Sequence, residues 1–163
     1  IIGALRDHAD LDIDTSIMAG VDLRRLLAGH FTIEKGPDLT ATVMSFSYRK
    51  GLPREADLVF DVRFLRNPHY VPELKTMSGM DRDVALYIEE DPVFDEIMCR
   101  FDSLLLELLP RYAAEGKTYL TIAIGCTGGQ HRSVFAAERL ADMLEGAGYA
   151  VTRRHRDVNI AGV

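Results

Sequence analysis

The chemistry of this chain concentrates in one run: Gly125, Cys126, Thr127, Gly128, Gly129, Gln130, His131, Arg132 and Ser133. The run follows an apolar stretch at 119–124 that reads as a buried parallel strand. It precedes a stretch at 134–140 with helical periodicity. A strand, a glycine-rich loop and a helix aim backbone N–H groups at one point, and the helix dipole adds positive potential there. Arg132 adds a cation whose planar fork suits phosphate. The expected occupant is an anion, most simply a phosphate group. Each piece also has an ordinary reading: glycines that satisfy a turn, His131 as a cap, Arg132 in a surface ion pair, Cys126 as a small buried hydrophobe. Their convergence in one loop favours a ligand.

A second cluster, Asp61, Arg63, Asn67 and His69, sits at and beyond the end of a predicted strand at 58–64. If the two strands are neighbours, Asp61 and His69 face the anion loop. Arg63 then adds a second cation, and Asp61 can bond sugar hydroxyls or an amine. The alternative is a structural Asp61–Arg63 ion pair with His69 capping a proline turn. A charge-assisted hydrogen bond contributes about 1.5–3 kcal/mol, and micromolar affinity needs about −8 kcal/mol. The amides of residues 127–131, Arg132 and one further polar contact are sufficient in kind. There is no Gly-x4-Gly-Lys-Ser/Thr pattern, so no nucleotide site of that type is evident.

Cys126-x5-Arg132-Ser133 also matches the phosphate loop of cysteine-dependent phosphatases, in which the thiolate is the nucleophile and the arginine clamps the phosphate. Two points separate this chain from that pattern. Gly125 stands where those enzymes usually carry His, and only Asp61 or Asp81 offers itself as a general acid.

The elements around these loops read as one α/β domain with a mostly parallel sheet and flanking helices. Strands are expected at 40–48, 58–64, 119–124 and 149–152, and one helical turn at 54–57. A short helix capped by Asp81 should run through Tyr87. Asp91-Pro92 should start a long helix, with Asp91 as N-cap and Pro92 at the first helical position. Its stripe of Phe94, Ile97, Met98, Phe101, Leu104, Leu105, Leu108, Leu109 and Tyr112 is core packing rather than a cofactor box. Residues 115–117 end that helix, and the helix after the site loop should run to about Glu145. In such folds ligands gather at the carboxyl ends of the strands.

The 163 residues suffice for one domain with a real core, and 47% hydrophobic with 27% charged residues is ordinary for a soluble protein. A net charge of −6 argues against generic nucleic-acid binding. Two cysteines, Cys99 and Cys126, point to a reduced, cytoplasmic protein rather than a disulfide framework. No apolar run is long enough to span a bilayer, and no signal peptide is seen. A start at Ile1 suggests a fragment. Residues 1–33 read as a short strand near 9–15 and a helix carrying Val21, Leu23, Leu26 and Leu27, the end of an upstream domain. Residues 34–38 are a polar linker candidate.

With these residues the chain resembles the C-terminal domain of the RNase adapter (RapZ, or YvcJ) family. The resemblance rests on Phe60-Asp61-Val62-Arg63-Phe64-Leu65-x-Asn67-Pro68-His69 and on Ala123 to Val134 around the loop. Met44-Ser45-Phe46, Gly51-Leu52-Pro53, Gly79-Met80-Asp81 and Arg154-His155-Arg156 follow in family order. The resemblance implies a phosphofructokinase-subdomain-like fold at 39–157, and makes 1–33 the tail of a P-loop kinase-like domain. It implies ATP or GTP binding in that upstream domain and no cofactor in this fragment. It further implies sensing of glucosamine-6-phosphate, binding of small RNA and its presentation to an endoribonuclease or other regulatory protein. Carried over, the sugar-phosphate pocket comprises Asp61, His69, Cys126, Thr127, Gly128, Gly129, His131 and Arg132, to which the residue chemistry adds Arg63. Arg153, Arg154 and Arg156 become the RNA-binding candidates, although the residues after them, 157–163, are not basic as in the RNA-binding member. The expected protein is a cytoplasmic, non-enzymatic homo-oligomer. A cysteine phosphatase and an interaction module with a vestigial pocket are the competing readings.

Overall fold

Two long apolar strands form the centre of the sheet. β1 (Thr40–Ser47) and β3 (Tyr119–Cys126) are buried on both faces over most of their length, the pattern of parallel strands covered by helices on either side. A computed structural model describes residues 39–158 and, before them, only Ile13, Thr15 and Leu23. β2 (Leu58–Asp61) and β4 (Ala150–His155) complete a four-stranded sheet of order β2-β3-β1-β4, parallel throughout. Three α-helices accompany it among the described residues: α1 (Arg82–Glu89), α2 (Phe94–Ala114) and α3 (Arg132–Gly146). The fold is α/β.

The chain divides into two compact units, 1–36 and 37–163. The strand and helix expected within 1–33, and their assignment to an upstream domain, lie outside the described residues.

The core is one continuous cluster. Val43, Ile122 and Ile124 of the sheet meet Leu105 and Leu109 of α2 and Leu140 and Leu144 of α3, all essentially inaccessible. The buried face of α3 also carries Ala136, Ala137 and Ala141, small residues that let the helix lie close to the sheet. The stripe on α2 is narrower than its sequence suggests: Phe94, Met98, Leu105 and Leu109 are buried, whereas Leu104 is exposed.

Several boundaries differ from the sequence expectation. β2 stops at Asp61 rather than running to 64. The Val62 N–H reaches the Gly125 carbonyl at 3.0 Å, and the chain then turns, Leu65 N–H bonding back to Val62. β4 is longer than 149–152, because pairing with β1 continues as far as Ser45 opposite His155. β1 ends at Ser47, and Tyr48–Lys50 forms a 3-10 turn. Residues 54–57 make a turn rather than a helix, closed by Ala56 N–H to the Pro53 carbonyl. α2 begins at Phe94, since Asp91 and Pro92 belong to the preceding turn. Val93 takes the N-cap position without a side-chain cap bond, and the Asp91 carboxylate instead holds the preceding turn, accepting from Val93 N–H at 3.1 Å and from Arg66 N–H at 2.7 Å. Asp81 precedes α1, but its carboxylate turns back to Ser78 and makes no cap bond.

The register sets the site. Ser47 lies opposite Cys126, and Asp61 opposite Gly125, so β1, β2 and β3 finish level at their carboxyl ends.

Candidate anion-binding site

β3 ends at Cys126 and α3 begins at Arg132, leaving residues 127–131 as the loop between them. Gly129 carries it through a positive φ of 70°. A Cβ there would lie 2.9 Å from the Ser47 nitrogen and 3.0 Å from Asp157 Cβ, so glycine is required by conformation and by space. Ser47 braces the other arm: its hydroxyl donates to the Thr127 carbonyl at 2.8 Å, and its N–H donates to Asp157 Oδ2 at 2.6 Å. Cys126 Sγ accepts from Gly129 N–H at 3.2 Å and lies 3.1 Å from Ser133 Oγ. Gly125 cannot be a larger residue, because a Cβ would meet the Phe46 ring at 2.4 Å and the Tyr48 ring at 2.5 Å. Those two rings occupy the space a histidine would need.

Among the described residues Arg132 makes no ion pair. It is 5% exposed, and Nη1 donates to the carbonyls of Arg63 at 2.5 Å and Leu65 at 3.1 Å. Among the described residues Nη2 has only a long contact, 3.5 Å, with Thr127 Oγ1, and Nε is buried with no partner. The guanidinium is thus anchored by one nitrogen, while its Nε–Nη2 edge, the edge that grips an oxyanion bidentately, is under-satisfied. His131 stands at the N-cap position of α3 without a side-chain cap bond. Its Nε2 lies 3.2 Å from the Leu74 carbonyl. Burial above all, with the charge of His69 nearby, pushes its imidazole below the ordinary histidine value, against the pull of that carbonyl. The neutral ring therefore donates from Nε2. Gln130 ties the loop to the same segment, donating to the Met77 carbonyl at 2.7 Å and accepting from Gly79 N–H.

A cavity of about 300 Å³ opens over the loop. Of the residues singled out by sequence, His69, Cys126, Thr127, Gly128, His131 and Arg132 line it, as does Asn67. Asp61, Arg63 and Gly129 are not in its lining. Asp61 is engaged by Arg63, whose Nη2 donates to Oδ2 at 2.6 Å and whose Nε donates to both carboxylate oxygens. That bond, more than any other influence, holds the Asp61 carboxyl below its usual value. The Arg63 guanidinium lies over the Tyr48 ring, 4.2 Å from its centroid. Here the structural ion pair is what forms. Asn67, not His69, caps the proline turn, accepting from His69 N–H at 3.3 Å.

Gln130 of the same loop also lines the cavity, as do Arg49 and Tyr70, which the sequence reading did not single out. Arg49 follows the carboxyl end of β1 and makes no ion pair among the described residues, so it, rather than Arg63, is the second cation. The signal was available: Arg49 directly follows a predicted central strand, at the edge where ligands gather.

The basic residues of β4 and beyond are engaged within the domain. Arg153 pairs with Glu138 at 3.3 Å and with Asp142 and Glu145 at 2.5 Å. Arg154 pairs with Glu55 at 3.6 Å. Arg156 pairs with Asp157 at 2.8 Å and donates to the Ser47 and Gly51 carbonyls. Arg156 therefore buttresses the anion loop from behind.

Among the described residues no group of three or more His, Cys, Asp or Glu is arranged to hold a metal ion. Among the same residues no helix is long and apolar enough to cross a membrane. Cys99 is exposed, Cys126 buried, and both are free thiols.

The fold and the loop define a parallel α/β domain with a cavity at its strand ends. The chain belongs to the RapZ C-terminal domain family, whose model matches residues 39–159. It is similar to a nucleotide-binding protein of Rhodospirillum centenum, 56% identical over 155 residues that make up 95% of this chain and 47% of the relative. A nucleotide-binding protein of Paramagnetospirillum magneticum is 53% identical over 162 residues, 99% of this chain and 53% of the relative. One of Rhizorhabdus wittichii is 53% identical over 158 residues, 97% of this chain and 50% of the relative. The chain spans about half the length of the curated relatives it matches.

Proposed function

We propose that this RapZ-like domain is a regulatory module that senses a phosphorylated amino sugar of the glucosamine-6-phosphate type, with occupancy of the cavity as its signal. The observation that carries this reading is the Arg132 guanidinium: buried, anchored through Nη1, with Nε unpartnered at the amino end of a 15-residue helix. An anion in the loop would satisfy that edge and would gain from the helix dipole and from Arg49. The cavity volume, about 300 Å³, suits a monosaccharide phosphate. Asn67, His69 and Tyr70, which line the cavity, would meet the sugar hydroxyls and the amine.

The signal would pass to an RNA or a protein partner in the cytoplasm. The acid partners of Arg153, Arg154 and Arg156 weigh towards a protein, because a paired arginine must give up its carboxylate to meet a phosphate backbone. Nucleotide binding, the property named for the longer relatives, is assigned to the part of such proteins that this chain does not match.

Calorimetric titration with glucosamine-6-phosphate, glucose-6-phosphate and inorganic phosphate tests the reading. Selective saturation by the amino sugar phosphate, absent in Arg132→Ala, is expected. An equal response to all three ligands would reduce the site to a generic anion cradle, and no response would remove the reading.

A further inference from the structure

Cys126 is 2% exposed and lines the cavity, and four features converge on it. Its sulfur accepts from the Gly129 N–H. The Ser133 hydroxyl lies 3.1 Å away, placed to donate to a sulfur bearing negative charge. α3 begins six residues later with its dipole directed at the loop. Arg132, more than nine-tenths buried, lines the same cavity with Nε unpartnered. A packing cysteine needs neither the hydroxyl nor the arginine.

We propose that the loop cleaves phosphomonoesters, with Cys126 as nucleophile and His69 as proton donor, so that the domain slowly removes the phosphate whose presence it reports. The proposal rests on the anion-site reading above. Arg132 and the loop amides hold the three non-bridging oxygens. The Cys126 sulfur attacks phosphorus as its proton passes to His69, an S–P bond forms and the P–O ester bond breaks, and His69 hands that proton to the leaving oxygen. Water then attacks the phosphocysteine and gives a proton back to His69. The S–P bond breaks, its electron pair returns to sulfur, and inorganic phosphate leaves. The Ser133 hydroxyl stabilises the departing thiolate in this second step.

His69 is assigned by elimination and by position. Asp61 is held by Arg63 and Asp81 by Ser78, and neither lines the cavity. His69 does, and the other histidine of the lining, His131, has its Nε2 engaged with the Leu74 carbonyl at 3.2 Å.

The test incubates the 163-residue chain with p-nitrophenyl phosphate and with glucosamine-6-phosphate, follows nitrophenol and phosphate release, and examines acid-quenched protein by mass spectrometry. Release is expected from the wild type and lost in Cys126→Ser. Ser133→Ala should show a burst followed by slow turnover, with phosphate trapped on Cys126. Release that persists unchanged in Cys126→Ser overturns the proposal. So does a wild type that binds inorganic phosphate by calorimetry but neither turns over nor becomes phosphorylated, and in that case the sensing function stands. A wild type that binds no phosphate overturns both.

Discussion

Arg132 Nη1 donates to the carbonyl oxygen of Arg63 across 2.5 Å, joining the first turn of α3 to the chain just past β2. Two cations meet here with different tasks. Arg63 uses its guanidinium on Asp61 and offers Arg132 only its backbone. Arg132 is fixed by that backbone and keeps its other edge for the cavity. The bond therefore couples the fold of residues 62–66 to the orientation of the site.

Truncation of Arg132 should show both tasks. Arg132→Ala leaves the Arg63 and Leu65 carbonyls without their donor and should cost about 1–3 kcal/mol, measured by urea unfolding. It should also abolish phosphate binding by calorimetry. Arg132→Lys keeps the charge but lacks the fork, so it should recover more stability than affinity. Equal recovery of both would separate the guanidinium edge from ligand binding.

The site loop was legible in sequence because glycines, a cation and a thiol between a strand pattern and a helix pattern are a local signal. What surrounds the loop was not. Asp61 and Arg63 are two residues apart, a spacing that serves a ligand site and an ion pair equally well, and only the geometry separates them. Val62 and Phe64 continue an apolar run, yet β2 ends at Asp61: the Val62 N–H still bonds the Gly125 carbonyl of β3, and the chain then turns as the Leu65 N–H bonds back to the Val62 carbonyl. Arg49 is one ordinary residue in sequence and becomes the second cation only when β1 and β3 finish level. Long-range partners such as Asp157 for Ser47, 110 residues apart, leave no local pattern at all.

Asp157 should make the brace behind the loop acid-sensitive. Burial works against its charge, but Arg156, the Ser47 N–H and Lys50 outweigh that and hold the carboxyl below its ordinary value. A carboxylate depressed in the folded state binds its proton less readily than in the unfolded chain. Its contribution is thus complete above the unfolded value of about 3.9 and is lost as pH falls through the folded value. Asp157→Asn should lower the melting temperature at neutral pH and narrow its gap to the wild type on acidification. A gap that does not change with pH would assign the effect to packing.

His131 should act in a milder range. Its folded value lies below that of the unfolded chain, chiefly through burial, so the unfolded state takes up the proton first. The stabilisation is present above the unfolded value of about 6.5 and declines as pH falls below it. Between about pH 7 and 5 the wild type should lose stability more steeply than His131→Gln, which keeps a donor for Leu74 but does not titrate. Melting curves at constant ionic strength decide this, and parallel profiles would remove His131 as the source of the slope.

Gly79 packs against the start of α3, next to His131 of the cavity lining. A Cβ at this position would lie 2.2 Å from the His131 carbonyl oxygen and 2.5 Å from the Phe135 nitrogen, both backbone atoms of the loop and the first turn of α3. Neither can move without shifting the helix start, and the Gly79 N–H is itself committed to the Gln130 carbonyl at 2.8 Å. Gly79→Ala should therefore push residues 77–81 away from the loop and cost about 1–3 kcal/mol. Because the displacement falls on the wall that holds Gln130 and His131, phosphate affinity should fall in the same variant while Cys126 and Arg132 remain intact. Calorimetry and thermal melting of that one protein measure both effects, and a stability loss with unchanged affinity would place Gly79 in the packing alone.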